Sequence, residues 1–333
     1  MAVKIGIDLG TSNTVLGVVG KGIILTEPTV VAISTKDKKV LAIGVEAKGM
    51  LGKVPGDIEA RRPIRQGVIA SYKITEIFLH SLIDKALGRF RFLKPEIMIS
   101  VPSGITSVEQ RAVIEAAVQA GAGKVYLIPE PIAAAIGAQM PIGSSEGNMI
   151  VNIGGGTCEI AVISINGLVT FEFCRVAGDS LNDSLINYIR KKYSLLIGEQ
   201  MAEKIKIEIG SATLVEKPLE MEIRGRDVST GMPISINTNT NEIVDGLKPV
   251  LNQIILSIKK VLEVTPPELS SDIIDRGMVI SGGTAKLRNI DDLFTKAINV
   301  PAHIVEDPTN AVIKGILISL ENIESIRRSL KGA

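Results

Sequence analysis

Two glycine-rich segments contain the residue types that chemistry on a phosphate requires, Ile7-Asp8-Leu9-Gly10-Thr11-Ser12-Asn13-Thr14 and Val151-Asn152-Ile153-Gly154-Gly155-Gly156-Thr157. Each follows an apolar run. Without a Cβ at Gly10 or at Gly154, Gly155 and Gly156, successive backbone N–H groups can approach phosphate oxygens and form an anion nest. The hydroxyls of Thr11, Ser12 and Thr157 add donors. Overlaid, Asp8 matches Asn152 and Gly10 matches Gly154, which leaves carboxylate against amide as the one chemical mismatch of consequence. Asp8 ends a strand at the first turn, where it can hold Mg²⁺ directly or through water, or simply cap the turn.

Further along, Leu127-Ile128-Pro129-Glu130-Pro131 followed by alanines places a carboxylate at a helix N-terminus, with Pro131 expected at the first helical position. Glu130 either complements the helix dipole or orients and deprotonates a water attacking a γ-phosphate, a water that Thr157 could hold from the other side. Met278-Val279-Ile280-Ser281-Gly282-Gly283-Thr284-Ala285 is a third strand-to-glycine turn, against which a flat base can lie. Glu203 and Lys206 stand one helical turn apart, as a nucleoside-facing pair or as a solvated ion pair.

These groups need a scaffold that brings distant segments together. The chain has 333 residues and 45% apolar content, enough for two lobes with separate cores. Its 37 basic and 36 acidic residues nearly cancel, so no overall field recruits nucleic acid. Cys158, Cys174, His80 and His303 lack metal-ligand spacing, which disfavours zinc chemistry and a disulfide framework. No apolar run reaches the ~18 residues that span a bilayer, and the N-terminus enters a strand at once, so a cytosolic protein is expected.

Val- and Ile-rich runs at 3–7, 15–19, 29–33, 97–101, 149–153, 160–165 and 277–281 read as strands, alternating with helical patterns in the manner of an α/β protein. Thr106 or Ser107 caps a helix near 107–120, with Glu109 or Gln110 placed for a capping box. Apolar residues at helical spacing predict another helix over 245–263, ended by Pro266-Pro267. The second half restarts the pattern of the first, which implies duplication and two lobes facing one cleft. Insertions at 33–63 and 179–244, the latter ending in the polar run 237–241, are expected as smaller subdomains at the rim.

In combination, Asp8 to Asn13, Glu130-Pro131 with its alanines, Ile153 to Thr157 and Ser281-Gly282-Gly283 resemble the actin, Hsp70 and sugar-kinase superfamily. Within it the chain resembles the MreB family of bacterial actins over essentially its full length. Arg62-Pro63-Ile64, Gly67-Val68-Ile69-Ala70, Ile207 to Ala212 and Asp307-Pro308 extend the match. The resemblance implies an actin-like fold with subdomains IA (1–32, 64–142, 312–333), IB (33–63), IIA (143–178, 245–311) and IIB (179–244). It implies ATP or ADP with Mg²⁺ between the lobes, and head-to-tail protofilaments that pair. Thr11, Ser12, Asn13, Gly155, Gly156 and Thr157 would hold phosphates, with Gly178 and Asp179 beside them. Glu203, Lys204, Ile205, Lys206, Gly282, Gly283, Thr284 and Ala285 would hold the nucleoside, Asp8 and, through water, Asn152 the metal. Glu130 with Thr157 would act on the attacking water.

The chain departs from the family pattern at Asn152, where Asp is usual, at Thr157-Cys158, where two threonines follow the glycines, and at Gln66, Ala177 and Thr284. Losing the carboxylate at 152 is expected to weaken metal affinity or hydrolysis. Gly88-Arg89-Phe90-Arg91-Phe92-Leu93-Lys94-Pro95 puts apolar side chains among cations. Phe90, Phe92 and Leu93 suit a bilayer interface, or fold back into the core. The amphipathic stretch 323–331 offers a second, weaker contact. The expectation is a membrane-associated cytoskeletal filament that serves cell shape or morphogenesis at the inner face of the cell membrane. It would hydrolyse ATP slowly and would meet membrane morphogenesis or motility proteins but no nucleic acid. The alternatives are a filament with weak or absent ATPase and, on the same fold, a small-molecule kinase.

Overall fold

The computed structural model describes residues 2–88 and 93–323. Two five-stranded sheets share one topology. In the first, Lys124–Pro129, Glu96–Val101 and Lys4–Leu9 run parallel, followed by the antiparallel Asn13–Val18 and Gly22–Pro28. In the second, Ala302–Ile304, Met278–Ser281 and Asn148–Ile153 run parallel, followed by Cys158–Ser164 and Gly167–Cys174. The expected duplication is thus present strand for strand, and each glycine-rich segment is the turn of the central hairpin.

The expected strands form within two residues of their sequence positions, whereas Gly22–Pro28, Lys124–Pro129 and Gly167–Cys174 were not anticipated. These three border their sheets and, apart from buried Ile128, hold only exposed and half-buried residues, so their apolar signal is dilute. Helix Ser107–Gln119 starts at Thr106 with the expected capping box to Glu109. The helix expected over 245–263 begins earlier, at Thr240, because the Asn239 side chain accepts from the Glu242 N–H. Of the polar run 237–241, residues 237–239 close strand Pro233–Asn239, which pairs with Glu220–Asp227 and, beyond that, Leu195–Leu196 in a small sheet, and Thr240 and Asn241 open the helix. Val31–Ser34, between Val40–Ile43 and Ile58–Arg61, makes a second small sheet on the other side of the cleft.

Each lobe has its own core. Phe78, Leu79, Leu82 and Ile83 pack under the first sheet, and Leu247, Ile254, Ile258 and Phe294 under the second. Between the lobes, helix Glu130–Gly137 crosses helix Ala311–Glu321 with backbones in contact. A Cβ on Gly137 would fall 1.8 Å from the Ala311 carbonyl oxygen, and one on Gly315 1.7 Å from that of Ala133. The alanines after Glu130 are therefore a packing requirement, and this crossing fixes where Glu130 points. Pro131 occupies the second helical position rather than the first, since the helix opens at Glu130 itself.

Candidate nucleotide site

The two hairpins meet. Asp8, Gly10, Thr11, Ser12, Asn13, Glu130, Asn152, Gly154, Gly155, Gly156, Thr157, Gly282 and Gly283 line one cleft. Their contact is close enough that a Cβ on Gly155 would lie 1.9 Å from Ser12 Oγ, and one on Gly156 2.5 Å from Thr11 Oγ1. Thr29 Oγ1 donates to the Gly10 carbonyl at 2.8 Å, Thr284 Oγ1 to that of Gly154 at 2.7 Å, and the Asp179 N–H to that of Gly155 at 2.7 Å. The Gly154 N–H is committed to the Thr157 carbonyl at 2.8 Å and Ser12 Oγ donates to Asp179 Oδ1 at 3.3 Å, so the remaining N–H groups of the turns are the donors open to an anion.

Two layers of carboxyl groups lie at the base of the cleft. Asp8 accepts from Ser100 Oγ at 3.2 Å, and burial, with the neighbouring Glu130 second, pushes its carboxyl up to about 8. A buried carboxylate held that high is one that a cation would stabilise, and Mg²⁺ characteristically takes one or two carboxylates together with substrate phosphates. Among the described residues no three His, Cys, Asp or Glu side chains group as a protein-only metal cage. Asp8 therefore fits Mg²⁺ only in the company of phosphates.

Asn152 is turned differently from the sequence expectation. Its carbonyl oxygen accepts from Ser281 Oγ at 2.7 Å, and its Nδ2 donates to Glu130 Oε1 at 2.9 Å. The carbonyl oxygen expected to order metal waters is thus engaged within the second lobe, and the amide supports Glu130. Behind them stands Glu159, fully buried, accepting at Oε2 from the Ser103 N–H at 2.9 Å and Ser103 Oγ at 2.8 Å. The Glu130 and Glu159 carboxyls are close neighbours, and their charges oppose each other. Burial first, then the charge of Glu159, raises the Glu130 carboxyl well above the ordinary range. With Ser103 donating twice to Glu159, the shared proton belongs on Glu130. Asn152–Glu130 and Ser103–Glu159 each join one lobe to the other.

Glu159 has a signal in the sequence that went unused. In a strand, Thr157 and Glu159 face the same way, and in the hairpin overlay Glu159 falls opposite Val15. The repeats therefore also differ at the pair that faces across each hairpin. The second hairpin has Asn152 and Glu159 where the first has Asp8 and Val15.

The rim is crossed by ion pairs. Arg62 Nη1 donates to Asp179 Oδ2 at 3.0 Å and to Ser12 Oγ at 3.4 Å, and its Nη2 pairs with Glu199. Lys48 pairs with Glu203 at 2.9 Å. Glu203 and Lys206 are accordingly not each other's partners, since Lys206 Nζ donates to the Gly178 carbonyl at 2.7 Å. Of the residues expected around a nucleoside, Lys204 is exposed near Glu208, while the side chains of Ile205 and Ala285 belong to the second core. Leu93 is exposed, whereas Phe90 and Phe92 lie outside the described residues, as does 324–331 of the amphipathic stretch. No helix among the described residues is long and apolar enough to cross a membrane.

Residues 2–328 match the family described as MreB/Mbl protein. The chain belongs to the MreB/Mbl family. It is 48% identical to the cell shape-determining protein Mbl of Bacillus cereus over 98% of each chain. It is 46% identical to the cell shape-determining protein MreB of Escherichia coli, over 96% of this chain and 94% of the relative. Among solved structures, MreB5 of Spiroplasma citri bound to ADP superposes with a TM-score of 0.93 at 34% identity, covering 98% of this chain and 99% of the other. A MamK double helical filament superposes at 0.81 with 19% identity over 96% and 99%, a likeness of fold alone. The fold of this MreB/Mbl chain is therefore actin-like.

Proposed function

We propose that this MreB/Mbl chain binds ATP with Mg²⁺ in the cleft and polymerises head to tail into paired protofilaments that shape the cell from the inner face of its membrane. The observation that carries this reading is the pair of phosphate hairpins touching across one cleft, with buried Asp8 and Glu130 beneath them. Relatives named for cell-shape determination and an ADP-bound MreB5 of the same fold support it. Bound Mg²⁺ would neutralise charge on the transferred phosphate and its leaving group. Asp8 supplies the carboxylate for it, Thr11 to Asn13 and Gly155 to Thr157 the phosphate donors, and Gly282 to Ala285 with Glu203 to Lys206 the nucleoside wall. Subdomains bounded at 33–63 and 179–244 move the rim.

Thr157 orients the attacking water, and Glu130 receives its proton only after passing its own to Glu159. That prior transfer makes hydrolysis slow and lets it time filament turnover. Contact with lipid is assigned to Phe90, Phe92 and Leu93, multiplied along a filament. Pelleting and negative-stain microscopy with ATP, ADP or neither, on anionic vesicles, test the reading. Filaments that form with ATP and gather on lipid are expected, and a chain that stays monomeric at high concentration with ATP refutes it.

A second reading, a filament with little or no ATPase, draws on the Asn152 carbonyl being committed to Ser281. Phosphate release by the wild type and by Glu130→Gln separates the two. A fall of roughly 10²-fold supports turnover through Glu130, and equal low rates support the second reading.

A further inference from the structure

Cys158 and Cys174 are direct cross-strand partners on the antiparallel pair Cys158–Ser164 and Gly167–Cys174. Directly opposite residues stand about 4.5–5.5 Å apart at Cα, inside the roughly 4.4–6.8 Å that a disulfide spans. Both side chains lie on the same face of the sheet against the second core. Both cysteines are free, and Cys174 Sγ donates to the Cys158 carbonyl oxygen at 3.4 Å and to that of Val176 at 3.9 Å. Their surroundings differ. Cys158 is fully buried, whereas Cys174 is half-buried at the open end of its strand.

We propose that Cys158 and Cys174 form a reversible oxidative modification site, closed to an intrachain disulfide by a peroxide. The Cys174 thiol is drawn down to about 7, chiefly by the Cys158 hydrogen bond and further by Ser257, so part of it is thiolate at neutral pH. The thiolate attacks hydrogen peroxide, breaks the O–O bond, keeps one oxygen as sulfenic acid and releases hydroxide, which takes up a proton. The Cys158 sulfur then displaces the sulfenic hydroxyl, which leaves as water with the Cys158 proton. In sum, two thiols and one hydrogen peroxide become one disulfide and two waters. Buried Cys158 resolves and Cys174 attacks, an order set by exposure and by the neighbouring Cys174 and then burial, which hold the Cys158 thiol up. In a reducing compartment such a bond is transient and is returned by cellular dithiols. It would tie the strand that carries Glu159 to its neighbour, and its formation does not depend on which nucleotide the cleft takes.

The test uses the full chain in its native state, treated briefly with hydrogen peroxide, quenched, denatured in an alkylating agent and read by intact mass and peptide mapping. The expected product is a monomer lighter by two hydrogens, with neither cysteine alkylated and one linked peptide pair, restored by dithiothreitol. Cys158→Ser is expected to stop with one oxygen on Cys174, trapped by dimedone, and Cys174→Ser to leave Cys158 unmodified at the same dose. Two alkylatable cysteines after treatment, a link only between chains, or equal oxidation of Cys174→Ser would each overturn the proposal. The wild-type measurement decides on its own if a variant does not fold.

Discussion

Replacing Asn152 by Asp, the counterpart of Asp8 in the first hairpin, should cost this chain stability. The wild-type amide is 2% exposed, donates to Glu130 Oε1 and accepts from Ser281 Oγ. An ionised carboxylate at position 152 keeps the Ser281 contact but turns an acceptor toward Glu130. The lost hydrogen bond is worth about 1 kcal/mol, and leaving an acceptor buried against an acceptor about 2 more. For 333 residues, an unfolding entropy of about 2.1 cal/mol/K per residue gives roughly 0.7 kcal/mol/K, so about 3 kcal/mol lowers Tm by ~4 °C in a cooperative transition. The penalty has a pH signature. Burial and Glu130 raise the folded-state pKa of the introduced carboxyl above its unfolded value, and when protonated it can donate to Glu130 as the amide does. The cost is therefore absent below the unfolded value, grows as pH rises toward the folded value and is constant above it. Calorimetry of nucleotide-free Asn152→Asp beside the wild type at pH 5.5 and 7.5 should show a smaller Tm gap at the lower pH. Equal melting at pH 7.5, or a gap independent of pH, refutes the arrangement of Asn152 between Glu130 and Ser281.

Glu159→Gln keeps an acceptor for Ser103 but removes the charge that helps to raise Glu130, so the acid limb of phosphate release should move to lower pH in a stopped-time assay. Gly155→Ala drives a Cβ to 1.9 Å from Ser12 Oγ, and should weaken ATP binding at least tenfold by calorimetric titration while far-ultraviolet circular dichroism is unchanged. Arg62→Ala removes the guanidinium that joins Ser12, Asp179 and Glu199 across the rim, and should speed release of a fluorescent ATP analogue several-fold in stopped flow.

Much of this site was legible because hairpins, strand ends and helix starts have local causes. Glycine turns announce themselves, Thr106-to-Glu109 is a capping box in either view, and the duplicated pattern predicted the shared sheet topology. What was missed depends on distant partners. The amide of Asn152 could be assigned to a metal until Ser281, far along the chain, was seen to occupy its oxygen. Glu203 and Lys206 share a helix face, but Lys48 and the Gly178 carbonyl, from other segments, claim them. Glu159 is hidden inside an apolar strand, and its role depends on Ser103 and Glu130, which come from the other lobe. Ile205 lies within a stretch matched by family resemblance, and only packing shows its side chain turned to the core.

The glycine-to-carbonyl crossing of helices Glu130–Gly137 and Ala311–Glu321 has a mechanical consequence. Backbones already in van der Waals contact cannot be pressed nearer, so the lobes have no compressive stroke along that line and retain rotation about it. The crossing is a fulcrum with a short arm to Glu130 and a long arm to the outer sheets containing Val31–Ser34 and Glu220–Asp227. A shift of a fraction of an ångström where a phosphate sits becomes a displacement several times larger at the far ends of the molecule. In the filament proposed above, gearing of that kind would pass a small chemical event to the next subunit without any element having to unfold.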